Sequence, residues 1–267
     1  MNVVIHRLPA MLDREWRRGC VELLGVVDPN ETSDKQSESP YNLVVPRSRC
    51  PSCGHQISAL ENIPVVSYLA LRGRCSNCEQ RISPRYPLVE LLTGVMTGFV
   101  AWHFGFGLAA AGAILLTCAL ITLTFIDLDH QLLPDNITLP FMWLGLTFNL
   151  FFVYTELSAA VLGAIGGYLI LWAVYHAFRL LTGKEGMGYG DFKLTALLGA
   201  WLGWQALPGI ILLSSLVGAV VGIAMIVSKS HERSQPIPFG PYLAAAGWIY
   251  LMWGPVLQQA YFNLFTT

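Results

Sequence analysis

Charge is what this chain lacks. Only 12% of its 267 residues are Asp, Glu, Lys or Arg and 54% are hydrophobic, where an ordinary soluble domain is about 25% charged. Beyond position 87 the only Lys or Arg residues are Arg179, Lys184, Lys193, Lys229 and Arg233. Such a distribution excludes a soluble enzyme and describes a polar head followed by a polytopic membrane domain. A net charge of −1 points to no nucleic-acid partner. Several catalytic signatures are missing too. No HExxH is present for a zinc protease, no GxSxG for a serine hydrolase, and no GK[ST] for a phosphate loop. No signal peptide is recognisable, because His6 and Arg7 interrupt the short apolar stretch 3–5.

What is abundant is long apolar runs. A span needs about 20 mostly apolar residues, and candidates fall near 88–106, 108–126, 137–154, 158–178, 193–206, 208–227 and 239–264. The fifth is short and its border with the sixth lies at Leu207-Pro208; Gly254-Pro255 is expected to kink or stop the last. Basic residues near span ends stay cytoplasmic. With residues 1–87 inside, the inner loops are 127–136, 179–192 and 228–238, and all five later Lys and Arg lie in them or at their edges. The outer loops, near 107, 155–157 and 205–207, hold none.

That topology decides where two aspartates meet. Asp127 follows the apolar run 115–126 directly, at the end of a span running outward-to-inward; Asp191 closes Gly188-Tyr189-Gly190-Asp191, just before a span running the other way. Both therefore reach the same depth at the cytoplasmic face. Ionisable groups at membrane depth are costly and usually functional, and two carboxylates sharing a proton can hydrolyse a peptide bond without a metal. Asp129 lies farther from the apolar run and is expected to be solvated, while Asp135 reads as the N-cap of the third span. Gly186, Gly188 and Gly190 are expected to allow close backbone approach and unusual dihedral angles. Pro236-Ile237-Pro238-Phe239-Gly240-Pro241 opens the last span on the same side, where prolines suit a first helical turn and free backbone groups can pair with an extended peptide.

Cys50-Pro51-Ser52-Cys53 and Cys75-Ser76-Asn77-Cys78 form two CxxC knuckles 21 residues apart. This is the spacing of a closed, structural four-cysteine zinc site. Disulfide pairing is the alternative, disfavoured by a reducing cytoplasm. Ile57, Leu60, Ile63, Val65, Val66, Tyr68 and Leu69 are expected to build a small core around the metal, and residues 28–40 read as a polar flexible loop. Cys20 and Cys118 stand alone and read as packing residues or idle thiols.

Together the segment 2–9 (NVVIHRLP), the two knuckles, Arg85-Tyr86-Pro87-Leu88-Val89-Glu90, the string 126–135, residues 186–193 and residues 238–242 resemble the type IV prepilin peptidases. The resemblance covers the whole chain. It implies an inner-membrane, GxGD-type aspartic protease with Asp127 and Asp191 on the catalytic positions. It further implies that the substrates are prepilins of type IV pili and pseudopilins of type II secretion, cut after a glycine on the cytoplasmic side. Methylation of the new N-terminus, usually phenylalanine, would follow with S-adenosylmethionine as donor. Family members normally carry an eighth span before the segment 2–9, whereas seven are expected in this chain.

The expected architecture is thus an all-α polytopic membrane protein with a cytoplasmic zinc-binding head over residues 1–87 and a transmembrane aspartic peptidase domain over 88–267. Two other readings stay open. One is a peptidase without methyltransferase activity. The other is a non-enzymatic membrane adaptor or transporter whose acids line an ion pathway, although the paired broken spans of a transporter are not found.

Overall fold

The computed structural model describes residues 1–25, 41–50, 52–58, 61, 63, 65–184, 186–227 and 238–266. The polar segment 28–40, Leu60, Lys229, Arg233, Pro236 and Ile237 lie outside them. The described residues are helical, with isolated β-bridges but no strands, and divide into two compact units, Met1–Val95 and Met96–Thr267.

In the first unit, α1 (Asn2–Leu24) is a 23-residue helix ended by Gly25 in the left-handed conformation that glycine tolerates best. The sequence reading did not foresee it. Ile5, Leu8 and Leu12 recur at helical spacing and are buried. The side-chain amide of Asn2 donates to Tyr86 O (3.0 Å) and to Glu90 Oε1 (2.8 Å), and the rings of His6 and Tyr86 lie 5.1 Å apart. The guanidinium of Arg7 donates to the carbonyls of Asn42 and Pro46. A five-residue helix, α2 (Val66–Ala70), lies between the knuckles, and α3 (Arg85–Phe104) begins soon after the second. Among the described residues the apolar core expected around the metal does not form: Ile63, Val66 and Leu69 are exposed and Ile57, Val65 and Tyr68 only half-buried. Too few large side chains converge there, and Cys50 and Cys75 are among the few described residues buried in that region.

The second unit is a helical bundle. It comprises α4 (Leu108–His130), α5 (Asp135–Leu150), α6 (Leu157–Thr182), α7 (Tyr189–Leu202), a 3-10 turn Trp204–Ala206, α8 (Leu207–Val227) and α9 (Gly240–Thr266). Helices therefore stand where all seven apolar runs were expected. Among the described residues four stretches are long and apolar enough to cross a membrane by length and composition: α3, α4, α6 and Trp204–Met225. At 16 and 14 residues, α5 and α7 fall short of the usual span length. Trp253 breaks the helical pattern within α9, two residues before Pro255, as the Gly254-Pro255 pair predicts.

Small residues let α6 and α7 approach to backbone contact. A Cβ at Gly163 would overlap the Gly199 carbonyl, one at Gly199 the Gly163 carbonyl, and one at Gly167 would lie 2.6 Å from Thr195 O. Without a strong hydrophobic drive between helices in lipid, close backbone packing of this kind supplies much of the association energy. Ten residues of the short α7 are buried against α5, α6 and α9, which makes it the centre of the bundle. Its C-terminal carbonyls are held by Asn149 of α5, whose Nδ2 donates to Ala200 O and Trp201 O while Oδ1 accepts from the amides of Tyr154 and Thr155.

Candidate active site

The helix α4 runs one turn past the apolar run that predicted it, so Asp127 lies inside its last turn. Gln131 then takes a left-handed conformation (φ 51°) and its amide closes on Asp127 O. The Asp127 side chain is buried (5% exposed) beside Ile126, which is wholly buried. Its Oδ2 accepts a hydrogen bond from the backbone N–H of Gly240, at the start of α9, over 3.1 Å. A Cβ at position 240 would stand 2.6 Å from that oxygen.

Asp191 occupies the first turn of α7 and is equally enclosed (6% exposed). Its amide donates to Gly188 O, and Gly188 caps the helix with φ −83° and ψ 151°. Asp191 lies within electrostatic reach of Asp127. Leu133 separates the supports of the two acids. A Cβ at Gly190 would meet Leu133 Cβ at 2.8 Å, and one at Gly240 would meet Leu133 Cδ1 at 3.2 Å. Among the described residues neither carboxylate pairs with a cation. Two acids buried together this way cannot both ionise cheaply, and one shared proton relieves the repulsion.

The glycines before Asp191 do not show the unusual dihedral angles expected of them. None of Gly186, Gly188 and Gly190 adopts a positive φ. Gly190 is small because Leu133 backs it, and Gly186 because its missing Cβ would lie 2.8 Å from the Phe178 ring. Asp135 also departs from expectation. Pro134 occupies the N-cap of α5 and no side chain caps that helix; Asp135 is its first residue and accepts two hydrogen bonds from Lys193 Nζ, each of 2.7 Å. Lysine from α7 outcompetes the helix's own amides for the carboxylate because a charged donor makes the stronger bond. Asp129 is exposed, in keeping with its greater distance from the apolar run.

In the first unit the two knuckles fold alike. Cys50 N donates to His55 O and Cys75 N to Gln80 O; Gly54 N donates to Cys50 O and Glu79 N to Cys75 O. Cys50 and Cys78 sulfurs lie 3.8 Å apart, Cys53 and Cys75 3.9 Å, and all four lie within 4.8 Å of one another without a disulfide. A tetrahedral zinc with Zn–S bonds of 2.3 Å requires sulfurs about 3.8 Å apart, so the four thiols fit a metal such as zinc. Backbone amides of Cys53 and Ser52 draw the Cys50 thiol below its ordinary value, as His55 does for Cys53. At Cys78 the Gln80 amide acts in the same direction, but the crowding thiols, Cys53 foremost, push it up to about 12. A divalent cation offsets that crowding of negative charge. Glu61 braces the site: its carboxylate, held down to about 2 by Ser76 and then Ser58, takes the Ser58 amide at 2.8 Å and lies 3.6 Å from His55 Nε2.

Residues 1–104 match the bacterial peptidase A24 N-terminal domain and residues 114–223 match the type IV leader peptidase family. A prepilin leader peptidase/N-methyltransferase of Aeromonas hydrophila is 58% identical over 99% of this chain and 90% of its own length. The proteins of the same name from Pseudomonas aeruginosa and Neisseria gonorrhoeae are 56% and 51% identical, over 98% and 93% of this chain and 88% and 84% of theirs. The chain belongs to the type IV leader peptidase family. No solved structure matches it. As a member of that family it is an enzyme and a polytopic membrane protein.

In this leader peptidase family member, the second family match contains both Asp127 and Asp191, while the four cysteines fall within the first. Sequence reasoning placed the segment before Pro241 near the acids but did not single out Gly240 as a direct partner of Asp127. It missed Leu133 and the Lys193–Asp135 pair entirely. The only signal for the pair was a lysine two residues after Asp191, on a face whose register was not yet known.

Proposed function

We propose that the chain cleaves the leader peptides of type IV prepilins and type II pseudopilins and N-methylates the new N-terminal residue, usually phenylalanine, using S-adenosylmethionine as co-substrate. Asp127 and Asp191 are the catalytic pair. The observation that carries this reading is the burial of two carboxylates within reach of each other on separate helices of the bundle, neither of them paired with a cation among the described residues. One acid, ionised, takes a proton from the attacking water; the other, protonated, donates to the carbonyl oxygen of the scissile bond. Gly240 N–H holds Oδ2 of Asp127, leaving the other oxygen to face water or substrate. The roles of the two acids belong to the pair as a unit.

The reaction takes place at the cytoplasmic face of the bacterial inner membrane, supported by the confinement of every Lys and Arg to the loops and edges of one side. The head, residues 1–87, holds a structural zinc on Cys50, Cys53, Cys75 and Cys78, with no coordination position left for water. Zinc supplies a cross-link there, and the stapled head contributes to methyl transfer. The test is incubation of the detergent-solubilised protein with a prepilin, with and without S-adenosylmethionine, followed by mass spectrometry of the pilin. Leader removal in both samples and one added methyl group only with the donor support the reading. A cut but unmethylated product in both samples leaves a peptidase alone.

A further inference from the structure

We infer that a cavity between α8, α9 and the loop before α7 receives an apolar stretch of the protein substrate next to the scissile bond. This rests on the peptidase reading and gives it a substrate-binding surface. The cavity holds about 270 Å³ and its lining includes Met187, Ser215, Gly218, Ala219, Phe239 and Tyr242. Two of these walls belong to the supports of the catalytic acids. Met187 precedes Gly188, the cap of the helix carrying Asp191. Phe239 precedes Gly240, whose amide binds Asp127, and its own carbonyl accepts from Tyr242 N and Leu243 N. The cavity wall is therefore continuous along the chain with the backbone that supports each carboxylate.

Chemistry narrows the occupant. Among the described residues no charged side chain lines the cavity, which favours an apolar occupant over a basic or acidic peptide. Pockets for drug-sized ligands run from about 300 to 1,000 Å³, so this one is too small for an entire nucleoside-bearing methyl donor, yet ample for one or two apolar side chains. Next to it on α8, Leu212, Leu216, Val220 and Ile223 are exposed, giving an apolar approach for a segment arriving through lipid. Gly218 sets the depth: a Cβ there would lie 3.3 Å from the Tyr242 ring, so any larger residue fills the floor. A second cavity, of about 400 Å³, is lined by Leu108 and Phe151 among others. Leu108 starts the helix whose last turn holds Asp127, which at 1.5 Å per residue puts it about 28 Å from the chemistry.

The test combines cross-linking with kinetics on the full chain in detergent. A prepilin carries benzoylphenylalanine at successive positions on either side of the cleavage point and is trapped on the inactive Asp127→Asn protein. Positions just beyond the bond are expected to cross-link to α8 around Gly218 and Ala219 or to Tyr242; cross-links from those positions only to other helices overturn the proposal. Filling the cavity with Gly218→Leu, or with Ala219→Leu should the first fail to fold, is expected to raise KM about tenfold or more while kcat stays within about twofold, as the loss of one buried apolar side chain demands. An unchanged KM in a folded, filled variant rejects the cavity while leaving the peptidase reading intact. Failure of the wild-type protein to cut any prepilin rejects that reading instead.

Discussion

The backbone N–H of Gly240 donates to Oδ2 of Asp127 over 3.1 Å, and the missing side chain at position 240 leaves just enough room for that oxygen. A methyl group there must push the carboxylate, Leu133 or α9 aside. Gly240→Ala is therefore expected to lower kcat/KM for prepilin cleavage about 10²-fold, the cost of displacing a reacting group by about 1 Å, with little change in the melting temperature. Cleavage rates and a thermal melt in detergent check this; wild-type rates would show that the Asp127 position is not critical.

Gly188 and Gly190 separate two explanations of the glycine-rich loop. A Cβ on Gly188 meets nothing nearer than Asp191 Oδ2 at 3.9 Å, and its φ of −83° suits any residue. A Cβ on Gly190 would collide with Leu133. Gly188→Ala is expected to retain most activity and Gly190→Ala to lose it, measured on the same prepilin. The reverse order would mean that the loop needs backbone freedom instead of space.

Lys193 and Asp135 tie α7 to α5 beside the site. Asp135 is 51% exposed and Lys193 29%, so a double-mutant cycle of Lys193→Met and Asp135→Asn should give a coupling of about 1 kcal/mol or less, as for other solvent-reached pairs. A larger coupling would indicate that the pair is shielded by lipid or by another part of the protein.

One zinc per chain is expected from metal analysis, lost on Cys50→Ser or Cys75→Ser. Without it the head residues 41–87 should become protease-sensitive while the helices of the second unit stay intact, because the knuckle region buries few apolar side chains. Methyl transfer should fall more than cleavage. Equal loss of both activities would make the head a general folding support.

The bundle was largely legible in the sequence because apolar runs are local signals, and Pro255 marks the break in α9; the expected ends at 178 and 206 missed Gly183 and Gly203, which close α6 and α7. The aspartates and the knuckles stood out for the same reason, each defined within a few residues. What escaped depends on pairing across the chain. Asp135 carries a sequence fitted to capping, yet Lys193, 58 positions on, claims it. Nothing near Gly240 announces Asp127. In α1 the charged residues mask the helical spacing of Ile5, Leu8 and Leu12, whose partners come only with tertiary structure.

Cleavage of a prepilin by Asp127→Asn and Asp191→Asn proteins, each shown by thermal melt to be folded, tests the shared-proton pair most directly. Both substitutions keep shape and remove the acid, so each alone should abolish leader removal. Wild-type cleavage by either folded variant would contradict the account.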